Sequence, residues 1–158
     1  MSVPLRPNIA EFWGFIRNVM RITQAQLPDD SPYPGWAYNI SLMLVNRALM
    51  VVPSPDPAYP GLYALAVYNL AADRLVNFAQ DQDGQTIFAD FRNTLGLDAF
   101  VSGVVSSTGD EGTSMSLTVP QQFERFTVFD LQTLKTPWGR TYIGFAQMAG
   151  PNVWGLNL

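Results

Sequence analysis

Residues 60–80 read PGLYALAVYNLAADRLVNFAQ, and the rest of the chain can be placed around them. Small and branched apolar residues fill nearly every position, and no proline or glycine follows Gly61 until Gly84. That pattern predicts one long helix that is buried on most sides. Its polar residues Asn69, Asp73 and Asn77 fall at i, i+4 and i+8, a single narrow stripe that we read as the one wet face of a core helix. A helix this apolar needs other elements around it, so the flanking sequence should supply a helical bundle.

On the N-terminal side, VPSPDPAYPG (residues 52–61) carries four prolines and reads as a stiff, extended connection. A second helix is expected before it, from Gly35 or Trp36 to about Met50, apolar nearly all round and hence buried on most sides. LPDDSPYPG (residues 27–35) makes a loop. The first helix is expected to start near Ile9, because Asn8 and Glu11 have the spacing of an N-cap with an acidic third residue. Phe12, Phe15, Ile16, Val19 and Ile22 recur at helical spacing, so that helix should run on to just before residue 27.

On the C-terminal side DQDGQ (residues 81–85) is a turn. A short helix should follow from about Thr86, with Ile87, Phe91 and Leu95 on one face and Gly96 as its stop. Residues 100–107 and 113–119 suit strands: Met115, Leu117 and Val119 alternate with Ser114, Ser116 and Thr118, and Gly109-Asp110-Glu111-Gly112 offers turn residues between them. Residues 126–134 can hold another short helix. Thr136-Pro137 is a good N-cap and first-turn pair for a last helix that carries Trp138, Tyr142 and Phe145 on one side and stops at Gly150-Pro151. In the tail NVWGLNL, Trp154, Leu156 and Leu158 alternate, which suits an extended strand added to a neighbour. The expectation is one mainly α domain over residues 1–158: a helical core at 8–98, a projecting β-hairpin at 99–120, closing helices at 126–150 and an extended tail at 151–158.

Composition points to assembly. The 158 residues are 47% hydrophobic with a mean hydropathy of +0.06, yet only 14% are charged, against roughly 25% in soluble domains. A monomer so poor in charge must cover itself with neutral groups, whereas an obligate assembly buries that surface against other chains. Of the basic residues only Lys135 is a lysine; the others are Arg6, Arg17, Arg21, Arg47, Arg74, Arg92, Arg125 and Arg140. Arginine suits interfaces through its forked bonds and weaker hydration, although genomic base composition gives the same bias. A net charge of −4 argues against nucleic-acid binding by the exterior as a whole. The N-terminus lacks a secretory pattern, and residues 36–52, with Asn39, Asn46 and Arg47 inside them, make a poor membrane span. A protein made in the cytoplasm, with no membrane partner, is expected.

Cysteine and histidine are both absent, which removes thiol catalysis, imidazole metal ligands and the commonest general base. A serine nucleophile at Ser106 or Ser107 would depend on Lys135 or a carboxylate for activation, and no G-x-S-x-G pattern is present. Asp81-x-Asp83-Gly84 has its glycine too early for a calcium loop and lacks the closing acid. Asp29-Asp30 and Asp110-Glu111 sit in expected loops without the apolar surroundings that general acid–base work requires. Asn39-Ile40-Ser41 matches a glycosylation sequon inside an expected buried helix, and the aromatics lie mostly at core spacing. No catalytic, cofactor or metal residues are assigned.

Three segments in this order resemble the head–tail adaptors of tailed phages, also called connector or head-completion proteins: the apolar helix LYALAVYNLAADRLVNFA, the hairpin GVVSSTGDEGTSMSLTV and the closing helix TPWGRTYIGF. The resemblance covers roughly residues 30–148. It implies a ring, usually of twelve copies, docked beneath the portal in the virion neck, seating the next neck or tail protein and prolonging the DNA channel without sequence-specific DNA binding, cofactor or catalysis. On that reading the subunit is assembled in the host cytoplasm. Ser106, Ser107, Asp110, Glu111, Ser114, Ser116, Trp154, Leu156 and Leu158 become docking candidates. Arg17, Arg21, Arg47 and Arg74 become candidates for inter-subunit pairs with Asp73, Asp81 and Asp90. The alternatives are another virion component (a tail terminator or minor capsid protein), a small hydrolase using Ser106 or Ser107 with Lys135, and a monomeric binding module.

Overall fold

The computed structural model describes residues 6–51, 54–56, 58–98, 107–110, 113–116 and 128–148. Those residues are mainly helical. The order is α1 (Ile9–Asn18), α2 (Tyr33–Leu44), a 3₁₀ turn (Arg47–Val51), α3 (Leu62–Phe78), α4 (Ile87–Leu95), β1 (Ser107–Asp110), β2 (Thr113–Ser116), α5 (Val128–Thr133) and α6 (Pro137–Met148).

The segment that decides the fold forms α3, and twelve of its seventeen residues are buried. It packs most extensively against α6 and α2, and α1, α4 and the 3₁₀ turn also lie against it. Phe12, Ile16, Val67, Leu70, Leu75, Val76 and Phe88 are fully enclosed in a single core. Burying a side chain of this size stabilises by about 1.5–3 kcal/mol, so α3, which contributes most of these residues, is the element the others depend on.

Local chemistry explains the helix ends. Asn8 caps α1, its side-chain oxygen accepting from Ala10 N at 2.7 Å. Thr86 makes no such bond to α4. Instead Asp81 reaches across the turn, its two oxygens accepting from Phe88 N at 2.8 Å and Ala89 N at 2.9 Å, which places a carboxylate on the positive end of the helix. Gly96 ends α4 at φ +63 with Leu97 N bonded to Arg92 O, the left-handed stop that glycine tolerates.

Four expectations need correction. First, α1 stops at Asn18, and Arg21, at φ +61, reverses the chain. Met20 and Ile22 are still buried, but a loop delivers them, with Ile22 N bonded to Ile16 O. Second, α2 ends at Leu44 and is not buried on most sides: Trp36 is 56% and Met43 77% exposed. Third, the proline-rich connection turns at Asp56, which accepts from Ala58 N and Tyr59 N. Fourth, the polar stripe of α3 is not wet, since Asn69 is nearly buried and Asp73 wholly so.

In the serine-rich segment, β1 and β2 pair antiparallel with Ser107 opposite Ser116 and Asp110 opposite Thr113. Gly109 and Asp110 thus lie in a strand rather than in the turn. Ser106, Glu111, residues 117–127 and the tail with Trp154, Leu156 and Leu158 lie outside the described residues.

Candidate functional site

The polar stripe of α3 meets the corner between α5 and α6. Asn69 and Asn77 each satisfy themselves on their own helix, donating to Leu65 O and Asp73 O. Asp73 cannot, because its carboxyl group projects from α3 into a region with no water access. Thr136 answers it, its Oγ1 donating to Asp73 Oδ1 at 2.6 Å. The same hydroxyl accepts from Gly139 N at 2.9 Å, so the N-cap of α6 is also the partner of the buried acid. Pro137 in the first turn needs no backbone donor there.

Arg74 closes the other side. Its Nη2 lies 2.8 Å from Asp73 Oδ2 and donates to Thr133 Oγ1 at 2.7 Å, while the guanidinium stacks over the Phe129 ring at 4.2 Å. Thr133 Oγ1 in turn donates to Phe129 O. The Arg74–Asp73 approach has the separation of an ion pair but not the angles of a hydrogen bond, leaving Asp73 Oδ2 and Arg74 Nε without directed partners among the described residues. Burial therefore dominates: the Asp73 carboxyl is pushed up to about 6, although Arg74 and Thr136 both pull it down. Tyr142, on α6, is also raised by burial, with Asp130 adding to the shift and Arg74 opposing it.

Among the described residues this corner is tightly packed. A Cβ on Gly139 would sit 1.8 Å from Thr133 O and 2.9 Å from Asp73 Oδ1, so α6 touches the α5 backbone and the acid directly. Chemically, the arrangement is a lock that fixes α6 on α3. Sequence reading assigned Thr136 only as a cap and missed Thr133 and Gly139. The available signal was an aspartate in the middle of an apolar helix, which requires a partner from elsewhere in the chain.

The remaining candidates are scattered. Arg17 is tied within the chain to Ile22 O, Leu27 O and Asp29 and lies over the Trp13 ring. Asp81 caps α4, and Asp90 accepts from Thr86 Oγ1 at 2.9 Å. Arg21 and Arg47 are exposed. Lys135 Nζ donates to Gly96 O at 3.0 Å, at the C-terminal end of α4. Of the serine-rich segment, Ser107, Asp110, Ser114 and Ser116 are placed in the strand pair.

Among the described residues, an open groove lies outside the lock. Between α4 and the start of α6 lies a groove of about 310 Å³, walled by Ile87, Phe91, Leu95 and Trp138 with Asp90 and Thr94 at its rim. Phe91 and Trp138 meet edge to face at 5.6 Å. No helix among the described residues is long and apolar enough to cross a membrane. Compared with protein-family models, curated proteins and solved structures, the chain matches none.

Proposed function

We propose that the chain is a structural protein of the phage neck, a subunit of an oligomeric ring that joins the portal to the tail and prolongs the DNA channel. The observation that carries this reading is the pairing of α3 with α6. Two of the three segments on which the adaptor resemblance rests, LYALAVYNLAADRLVNFA and TPWGRTYIGF, form the main helix pair of the fold and are joined by the Asp73–Thr136 bond. The third segment, which includes the antiparallel strands, lies between them in sequence. Low charge and the exposed side chains of Trp36, Met43, Tyr59 and Met148 also favour a subunit that buries surface against its neighbours.

In this proposal the hairpin of residues 99–120 projects from the helical body and the tail at 151–158 is extended. Ser106, Ser107, Asp110, Glu111, Ser114 and Ser116 dock on a neighbouring component. Of the candidates Arg17, Arg21, Arg47 and Arg74, the exposed Arg21 and Arg47 pair between subunits in this proposal. Ring symmetry repeats each contact, so modest interfaces sum to a stable collar.

The test is to locate the protein. Antibody-gold labelling of purified virions encoded by the same genome should mark the junction of head and tail, and negative-stain images of the protein with its portal should show rings. Deleting residues 106–114 should leave a folded subunit that no longer joins them. Absence of the chain from virions overturns the proposal, and normal assembly of the deletion variant overturns the role of the hairpin.

A further inference from the structure

The groove between α4 and α6 is apolar, open and unfilled by any described side chain, and the chain contains an uncharged apolar segment of matching length. On α4, Ile87, Phe91 and Leu95 form a ridge of about 12 Å, from eight residues of helical rise. In the tail, Trp154, Leu156 and Leu158 alternate with Gly155 and Asn157, so in extended form they present one apolar edge of about 13 Å.

The reach also fits. α6 begins at the groove with Pro137 and Trp138 and ends at Met148, so the tail departs about 15 Å from the groove along the helix. Residues 149–154 span up to roughly 20 Å when extended, and Gly150-Pro151 supplies turn-forming residues where the chain must reverse. An attached segment that can reach its site competes at an effective concentration of about millimolar, which favours the chain's own tail over a second copy. No side chain of the tail is charged, so apolar contact and shape can seat Trp154 and Leu156 without an ion-pair partner in the groove.

From these features we infer that residues 152–158 of the free chain fold back into the α4–α6 groove of the same molecule, with Trp154 and Leu156 against Phe91, Leu95 and Trp138. The inference goes beyond the neck reading and does not depend on it. It concerns the unassembled chain, in which a bare apolar tail would invite aggregation.

The native sequence has no cysteine, so disulfide trapping in the full chain is unambiguous. Thr94→Cys, at the exposed rim, is combined with Asn157→Cys in one variant and with Asn152→Cys in another. Met43→Cys on the exposed face of α2 replaces Thr94→Cys in the controls. A bond requires the two Cβ atoms to approach within about 4.5 Å. At least one groove pair should close within the monomer roughly tenfold faster than its control, at a rate independent of protein concentration. Rates equal to the controls for both pairs overturn the inference. Disulfides found only between chains on a non-reducing gel also overturn it, and give the groove to a second copy.

Discussion

Thr136 and Asp73, 63 residues apart, share a 2.6 Å hydrogen bond inside the core, and the hydroxyl that donates it also caps the helix on which it sits. The bond ties α6 to a titratable group on α3. In the unfolded chain the carboxyl titrates near 3.8, and in the folded chain at about 6. Between those values the folded state holds a proton that the unfolded state has released, so this group makes the protein more stable as the pH falls through 6. Going from roughly pH 7.5 to pH 5 the gain is about 1.4 kcal/mol. No histidine titrates in this range to obscure it. Urea unfolding at the two pH values should show this gain in the native chain and its loss in Asp73→Asn, which keeps the shape and an acceptor for Thr136. Equal pH dependence in the two proteins refutes the assignment.

Gly139 makes the sharpest steric prediction. The Cβ of an alanine there would lie 1.8 Å from a backbone oxygen, that of Thr133, which cannot swing aside as a long side chain could. Gly139→Ala should therefore cost at least about 3 kcal/mol, at or above the top of the usual range for overpacking. Gly144, on the same helix, has nothing within 4 Å of its would-be Cβ, and Gly144→Ala should stabilise by about 0.5–1 kcal/mol through helix propensity. Thermal melts of the two variants should shift in opposite directions.

Arg17 holds the loop after α1, and its worth lies in the carbonyls rather than the ion pair. The guanidinium donates to Ile22 O at 3.0 Å and Leu27 O at 2.7 Å and is 24% exposed, while its partner Asp29 is 64% exposed. Solvent-facing ion pairs contribute about 0–1 kcal/mol; charged bonds to buried carbonyls contribute about 1.5–3 kcal/mol. Asp29→Ala should thus lower the melting temperature only slightly, and Arg17→Ala several times more. Arg17→Lys should rescue little, because one ammonium cannot reproduce the fork that spans both carbonyls. Equal losses from Asp29→Ala and Arg17→Ala would show that the ion pair dominates.

Local signals in the sequence were reliable where one residue type meets one backbone requirement. Asn8 as a cap, Gly96 as a left-handed stop and Thr136-Pro137 as a helix start all follow from such requirements, and α3 follows from its length and apolar filling. What failed depended on partners distant in sequence. The stripe Asn69–Asp73–Asn77 was read as wet because periodicity shows where polar residues gather, not whether a hydroxyl 63 positions away will meet them. Ile22 fits the helical period of α1 yet arrives by a reversal at Arg21, since burial is set by where the chain returns rather than by the path it takes. Trp36 and Met43 are as apolar as core residues but face outward, because α3 and α1 cover only part of α2. The candidate site was legible only in part: Asp73 was visible as an anomaly, whereas its enclosure by Thr133, Thr136 and Gly139 belongs to the tertiary fold.

Tyr68 anchors the start of α1 to α3. Its hydroxyl donates to Glu11 Oε2 at 2.5 Å and accepts from Asn8 N at 3.0 Å, and its ring stacks on Phe12 at 6.1 Å. Burial and the Glu11 carboxylate both push the phenol above its ordinary value, so it remains a neutral donor across the physiological range. Tyr68→Phe keeps the stacked ring but removes both hydrogen bonds; Asn8 and Glu11 are exposed and water replaces the lost partner, so the cost should be about 0.5–1.5 kcal/mol. Because the lost bonds lie at one end of α1, the damage should be local. Hydrogen exchange should quicken through residues 9–18 while the amides of α3 keep their protection relative to global unfolding. A uniform loss of protection in both helices would mean that the ring, not the hydroxyl, seats α1.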